Sequence, residues 1–217
     1  MRWLRTRDAN RDAGFTMVEL LIALAIFSIF LTIVLTSVIT LTKQSTTAQV
    51  TAKSSSAELA LFQRLDHEIR YADSINWPGA GASGDWYIEF DTPAESTSTG
   101  IALCTQWRFD PNAHVIQMRT WNNTVGVSPT NVWDTLLTNV AVESTPNYPF
   151  ALIPASAAGS SEQEFQLTVG TGNANVAGAA ISSVFVARNS SVQSTSNSDA
   201  TVPGVSDTPI CTGGTRP

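Results

Sequence analysis

From Leu20 to Leu41 the chain runs for about 22 residues without a charged side chain, and this stretch limits what the rest can fold into. As a helix it is about 33 Å long, enough to cross the hydrocarbon core of a bilayer. Ile22, Leu24, Phe27, Phe30, Ile33 and Leu35 fall on different faces. Such a helix has no polar side to turn to water, unlike a surface helix of a soluble domain. It also exceeds the apolar core of a secretory signal, about 7–15 residues, and the Thr46-Thr47-Ala48 stretch makes a poor signal cleavage site. The hydroxyls of Thr32, Thr36, Ser37 and Thr40 can bond to carbonyls one turn back, so they need not interrupt it.

The flanks of this run narrow the reading. Ahead of it, Arg2, Arg5, Arg7 and Arg11 outnumber Asp8 and Asp12. The positive-inside tendency keeps that leader cytoplasmic and sends the remainder across the membrane. Gly14 is a small residue at the cytoplasmic edge of the run, and Glu19 is the one carboxylate at its mouth. A carboxylate there is unfavourable without a partner. Cleavage after Gly14 would free an amine on Phe15, a natural cation for Glu19 in the same chain or a neighbour. An uncleaved single-pass membrane anchor, with an extracytoplasmic binding head, is the alternative. It explains the leader and the run but leaves Gly14 and Glu19 without a purpose.

Gly14-Phe15-Thr16-Met17-Val18-Glu19, followed by an unbroken apolar helix, resembles the prepilin-type signal of type IV pilins and pseudopilins. The resemblance implies cleavage between Gly14 and Phe15 by a prepilin peptidase, N-methylation of Phe15, and use of Glu19 in assembly against a neighbouring subunit's N-terminus. It implies as partners that peptidase, other pilin or pseudopilin subunits, an inner-membrane assembly platform and, before assembly, membrane lipid. The expected location is single-pass in the cytoplasmic membrane with the head outside, then in a pilus or type II secretion-like pseudopilus. Major pilins often carry a proline in the apolar helix. None occurs between Leu20 and Leu41, which leans toward a minor subunit at or near the tip.

Beyond the run, residues 43–56 are rich in Ser, Thr, Gln and Ala and lack Pro and Gly. The helix can continue through them. Phe62, Leu65, Ile69 and Ala72 then form an apolar stripe, and Asp66 and Arg70 are spaced for an ion pair. Trp77-Pro78-Gly79 ends the pattern. One helix is therefore expected from Phe15 to about Asp73, about 90 Å long. Trp86, Ile88 and Phe90 alternate on one strand, which places Glu89 and Asp91 on its solvated face. Ile101, Leu103, Thr105, Trp107 and Phe109 share a face of the next strand. Asp110-Pro111-Asn112-Ala113 reads as a turn, and 115–121 as the returning strand. Further strands are expected at 136–143, 164–169 and 181–188.

The fold class is thus α+β: one long N-terminal helix, transmembrane in its first half, packed against a C-terminal antiparallel sheet. The expected map is a leader at 1–14, a membrane or filament-core helix at 15–41, an amphipathic spine at 42–75, a β-rich head at 76–188 and a flexible Ser/Thr/Gly/Pro-rich tail at 189–217. The helix end Leu61-Phe62-x-x-Leu65-x-x-Glu68-Ile69-Arg70 and the hairpin Cys104-x-x-Trp107-Arg108-Phe109 are similar to those of J-type minor pseudopilins.

Formal charge is −6, and loss of a leader with four Arg and two Asp lowers it by two, to −8. An acidic chain does not suit a nucleic-acid surface. Cys104 and Cys211 both fall on the exported side, where disulfides persist. A bond between them would tie the tail to the second strand. The alternative is a buried Cys104 and a free Cys211. His67 and His114 lack the spaced ligands of a metal site. Asp85, Glu89, Asp91 and Glu95 could converge on Ca²⁺, but alternation points Glu89 and Asp91 along a solvated sheet face. No phosphate loop or nucleophile elbow occurs. The expectation is a structural protein rather than an enzyme, without cofactor.

Overall fold

The computed structural model describes residues 14–143, 148–173, 176–198 and 210–217, apart from the side chains of 173, 176 and 177. The chain is α+β and pilin-like: one long N-terminal helix followed by antiparallel sheets. It divides into two compact units, residues 1–47 and 48–217. The leader expected at 1–14 lies, but for Gly14, outside the described residues.

Helix α1 spans Met17–Arg70, 54 residues. In the first unit its apolar side chains from Met17 to Leu41 are all exposed. The hydroxyls of this stretch turn back on the helix. Thr32 Oγ1 donates to the Ser28 carbonyl, Thr36 to Thr32, Ser37 to Ile33 and Thr40 to Thr36, each at 2.8–2.9 Å. Their polarity is satisfied internally, as an apolar surrounding requires. Among the described residues this is the one helix long and apolar enough to cross a membrane.

In the second unit the first sheet contains β1 (Ser74–Ile75), β2 (Gly79–Ala80), β3 (Trp86–Thr92), β4 (Leu103–Asp110), β5 (Val115–Asn122) and β6 (Asp134–Thr138). Its order is β1-β3-β4-β5-β6, with β2 also paired to β3. A smaller sheet has the order β7 (Phe150–Ile153), β8 (Glu164–Asn173), β9 (Val176–Val186). The β4–β5 turn is built as its composition suggests. Asp110 Oδ1 accepts from the backbone N–H groups of Asn112 and Ala113, both at 2.8 Å, and His114 takes φ 56°.

The main core lies where α1 meets the two sheets. Leu61, Leu65 and Ile69 from α1 pack with Ile88, Phe90, Trp107 and Phe109 from the first sheet and Phe150, Phe165 and Phe185 from the second. Phe165 is the hub of the aromatic contacts, with ring centroids 5.9 Å from Phe150, 6.3 Å from Phe185 and 6.4 Å from Phe90. Such tilted pairs add to the burial of the rings themselves.

The structure departs from the sequence reading in four places. The buried stripe of α1 uses Leu61, not Phe62, which is 37% exposed and leans on Phe185. The strand expected at 136–143 is β6, Asp134–Thr138; Asn139 at φ 57° ends it, and 139–141 instead bonds to β8. Strands β1, β2 and β7 are absent from the sequence reading because they span only two to four residues. The tail expected to be flexible from 189 is packed in its described parts. Ser194 and Ser196 hydroxyls donate to the Asp73 and Ile75 carbonyls, and Asn197 Oδ1 accepts from Ala155 N–H at 2.7 Å. Residues 210–217 lie on the outer face of the first sheet.

Candidate processing and assembly site

Gly14, Phe15 and Thr16 precede the first turn of α1 as exposed, irregular chain. Thr16 Oγ1 accepts the Glu19 N–H at 3.2 Å, and the Thr16 carbonyl accepts the Leu20 N–H at 3.1 Å. Thr16 is thus the N-cap, three residues before Glu19, in the spacing of a capping box. Glu19 lies in the first turn of α1 and is exposed. A carboxylate there also complements the positive end of the helix dipole.

Phe15 is 85% exposed. Gly14 has open space where a side chain would sit: among the described residues nothing meets a side chain at position 14. The Gly14–Phe15 bond is accessible.

In the head, Cys104 and Cys211 form a disulfide across 107 residues, with Cα atoms 5.7 Å apart. Cys104, Cys211 and Trp121 make a small second core, on which Ile210 packs. From there residues 210–217 run as a strap over β3, β4 and β5. Asn123 ties down its start: its amide donates to the Ile210 carbonyl at 2.7 Å, and its oxygen accepts the Thr212 N–H at 2.8 Å. Gly213, at φ 70°, brings the strap so close to the Val127 carbonyl that a Cβ would lie 2.3 Å from it. The Thr215 carbonyl accepts from Gln106 and Arg119 at 3.2 and 3.1 Å. Arg216 reaches Glu89, and the Pro217 carbonyl accepts from Ser83 and Tyr87.

This strap corrects the reading of Glu89 as a solvated side chain. Alternation does place Glu89 opposite Ile88 and Phe90, but the strap covers that face, and Glu89 is 3% exposed. Its carboxylate accepts from Arg216, Gln106 and Asn76. Arg119 is buried beside it, and burial lowers its affinity for a proton. Arg108 and Arg119 both stack on Trp133, at 4.2 and 4.4 Å from the ring centroid. Sequence reasoning missed the strap because residues 210–217 contain few apolar side chains. The signals were Cys211 and the lone Arg216.

The other sequence candidates take structural roles. His67 packs edge-on to Tyr71 at 5.2 Å, and His114 Nδ1 lies 2.9 Å from the Val140 carbonyl. Asp91 is held by the Asn123 amide at 2.8 Å, and burial raises its pKa. Glu68 accepts from Arg64 and from the Trp107 indole at 2.8 and 3.1 Å; burial raises it too. Among the described residues no three His, Cys, Asp or Glu side chains group to hold a metal ion.

No curated protein and no solved structure matches the chain. Residues 9–35 match the family model for the prokaryotic N-terminal methylation motif. That match covers Gly14, Phe15 and Glu19 and supports a type IV pilin-like protein.

Proposed function

We propose that the protein is a structural minor subunit of a type IV pilus or type II secretion-like pseudopilus. The observation behind this reading is a coincidence at one end of α1. A prokaryotic N-terminal methylation motif overlies an apolar helix whose side chains from Met17 to Leu41 have no cover among the described residues. Lipid covers them first, in a single-pass cytoplasmic-membrane state with the head outside. Neighbouring subunits cover them later.

In this reading residues 1–14 are the leader, 15–41 the filament-core helix, 42–75 the spine and 76–188 the body of the head. A prepilin peptidase cuts after Gly14 and Phe15 is N-methylated. The open space at Gly14 supports a demand for glycine that comes from the peptidase rather than from the fold. Glu19 sets the register between subunits, because a carboxylate among apolar helices is strongly disfavoured until it meets a cation. The amine of Phe15 in a neighbour is that cation. The unbroken α1 without proline supports a minor position near the tip, and the Cys104-x-x-Trp107-Arg108-Phe109 strand supports a J-type likeness.

The test is a pair of substitutions, Glu19→Ala and Glu19→Val. Both variants should be processed like the wild type, yet enter sheared filaments at least tenfold less. Wild-type incorporation of either would remove Glu19 from the register role.

A further inference from the structure

Away from the N-terminus, α1 meets the second sheet through a carboxyl group that nothing above employs. Glu58 is 2% exposed on the inner face of α1. Its Oε1 lies 2.9 Å from Thr171 Oγ1, and that hydroxyl lies 3.0 Å from the Ala179 carbonyl. The register of β8 and β9 slips here: Gly170 faces Ala180, but Gly172 faces Ala177. The Thr171 hydroxyl stands in for a ladder bond at the slip. It has one proton and two oxygens to satisfy. A second proton closes the chain, and Glu58 is the group able to bring it.

The site is closely built. A Cβ at Gly178 would lie 2.6 Å from Thr171 Oγ1 and 2.9 Å from Ser54 Oγ, so glycine there lets α1, β8 and β9 approach. The neighbours of Glu58 one turn away on α1 are Ser54, Ser55, Leu61 and Phe62, none of them titratable. Lys53 and Arg64 lie off that face. On the strands the facing residues are Thr171 and Ala179 to Ser183. Glu143, after β6, sits beside Gly170. Burial raises the Glu58 pKa, the Thr171 bond partly offsets this, and no neighbouring charge contributes.

We propose that Glu58 is a proton-held latch: as a neutral acid it donates to Thr171 Oγ1, which donates on to the Ala179 carbonyl, and loss of the proton loosens α1 from the β8–β9 hairpin. The proton passes to water and leaves a carboxylate that can only accept. The carboxylate and the Ala179 carbonyl then compete for one hydroxyl proton, and the buried charge has no cation beside it among the described residues. The sign follows from linkage. The neutral acid favours the closed state, so closure is complete below the pKa of a free glutamate and weakens as pH rises through the native value.

Two measurements on the full chain in detergent micelles test this. The Glu58 side-chain carboxyl carbon, assigned by its loss in Glu58→Gln, should titrate above a free glutamate. Hydrogen exchange, corrected for intrinsic rate, should show protection at 165–186 falling relative to 103–121. The fall should be tenfold for each pH unit by which the Glu58 midpoint exceeds the free value. Glu58→Gln, whose amide donates to Thr171 without titrating, should abolish the fall. Thr171→Ser should retain it. A Glu58 midpoint at or below that of a free glutamate overturns the latch, and so does an unchanged pH response in Glu58→Gln.

Discussion

Arg216 donates to both carboxylate oxygens of Glu89, from Nε at 3.0 Å and from Nη2 at 2.6 Å, across 127 residues of sequence. The Glu89 side chain is 4% exposed and that of Arg216 18%. The pair fastens the 210–217 strap over the first sheet at the opposite end from the disulfide. Removing one member of a buried pair is more damaging than the pair is stabilising, because the other charge stays buried. Asn76 and Gln106 remain to hold Glu89, which lessens the loss. Arg216→Ala should therefore destabilise the head by about 2–3 kcal/mol. Chemical denaturation followed by tryptophan fluorescence reads this directly.

The disulfide closes a long loop. Its main effect is to restrict the unfolded chain, on the order of 4 kcal/mol for a loop of this length. Cys211→Ala should lower the denaturation midpoint accordingly, and a reductant should do the same to the wild type. The two fastenings act on one strap, so their effects should not add. Arg216→Ala should cost less in the Cys211→Ala background than alone. Strict additivity of the two would show that the strap is not held as a unit.

Asp73 supplies a pH dependence of known sign. Burial, with the charges of Asp91 and Glu95 adding to it, pushes its pKa up from 3.8 to about 6. The folded state then holds a proton that the unfolded state has released. Stability is complete below the unfolded value, declines as pH rises between the two, and stays reduced above about 6. Asp73→Asn should raise stability at pH 7.5 by about 1 kcal/mol, after discounting for the solvent that reaches this side chain. It should change little at pH 3.5. Denaturation midpoints at the two pH values give the comparison.

The helix and the long strands were legible in the sequence because their periodicity is strong and local. Leu65 and Ile69, or Trp107 and Phe109, declare a buried face by spacing alone. Glu89 shows where such reasoning stops. Alternation predicts which face of β3 it occupies but not that residues 210–217 return to cover that face. Leu61 was missed since Phe62 beside it is larger and equally apolar. The choice between them depends on where the second sheet sits, which no local pattern encodes. Glu58 was unreadable for a similar reason, as its partner Thr171 is 113 residues away. At the N-terminus the residue types themselves are the signal, so Gly14, Phe15 and Glu19 could be singled out before any coordinates.

In the proposed function this chain is trimmed and its new terminus is used in a polymer. The most direct measurement is the mass of the N-terminal peptide of the protein isolated from membranes that contain an active prepilin peptidase. The peptide should start at Phe15 and be about 14 Da heavier than the unmodified one for each methyl group added. A chain that retains residues 1–14 under those conditions contradicts the proposed function and favours a simple membrane anchor.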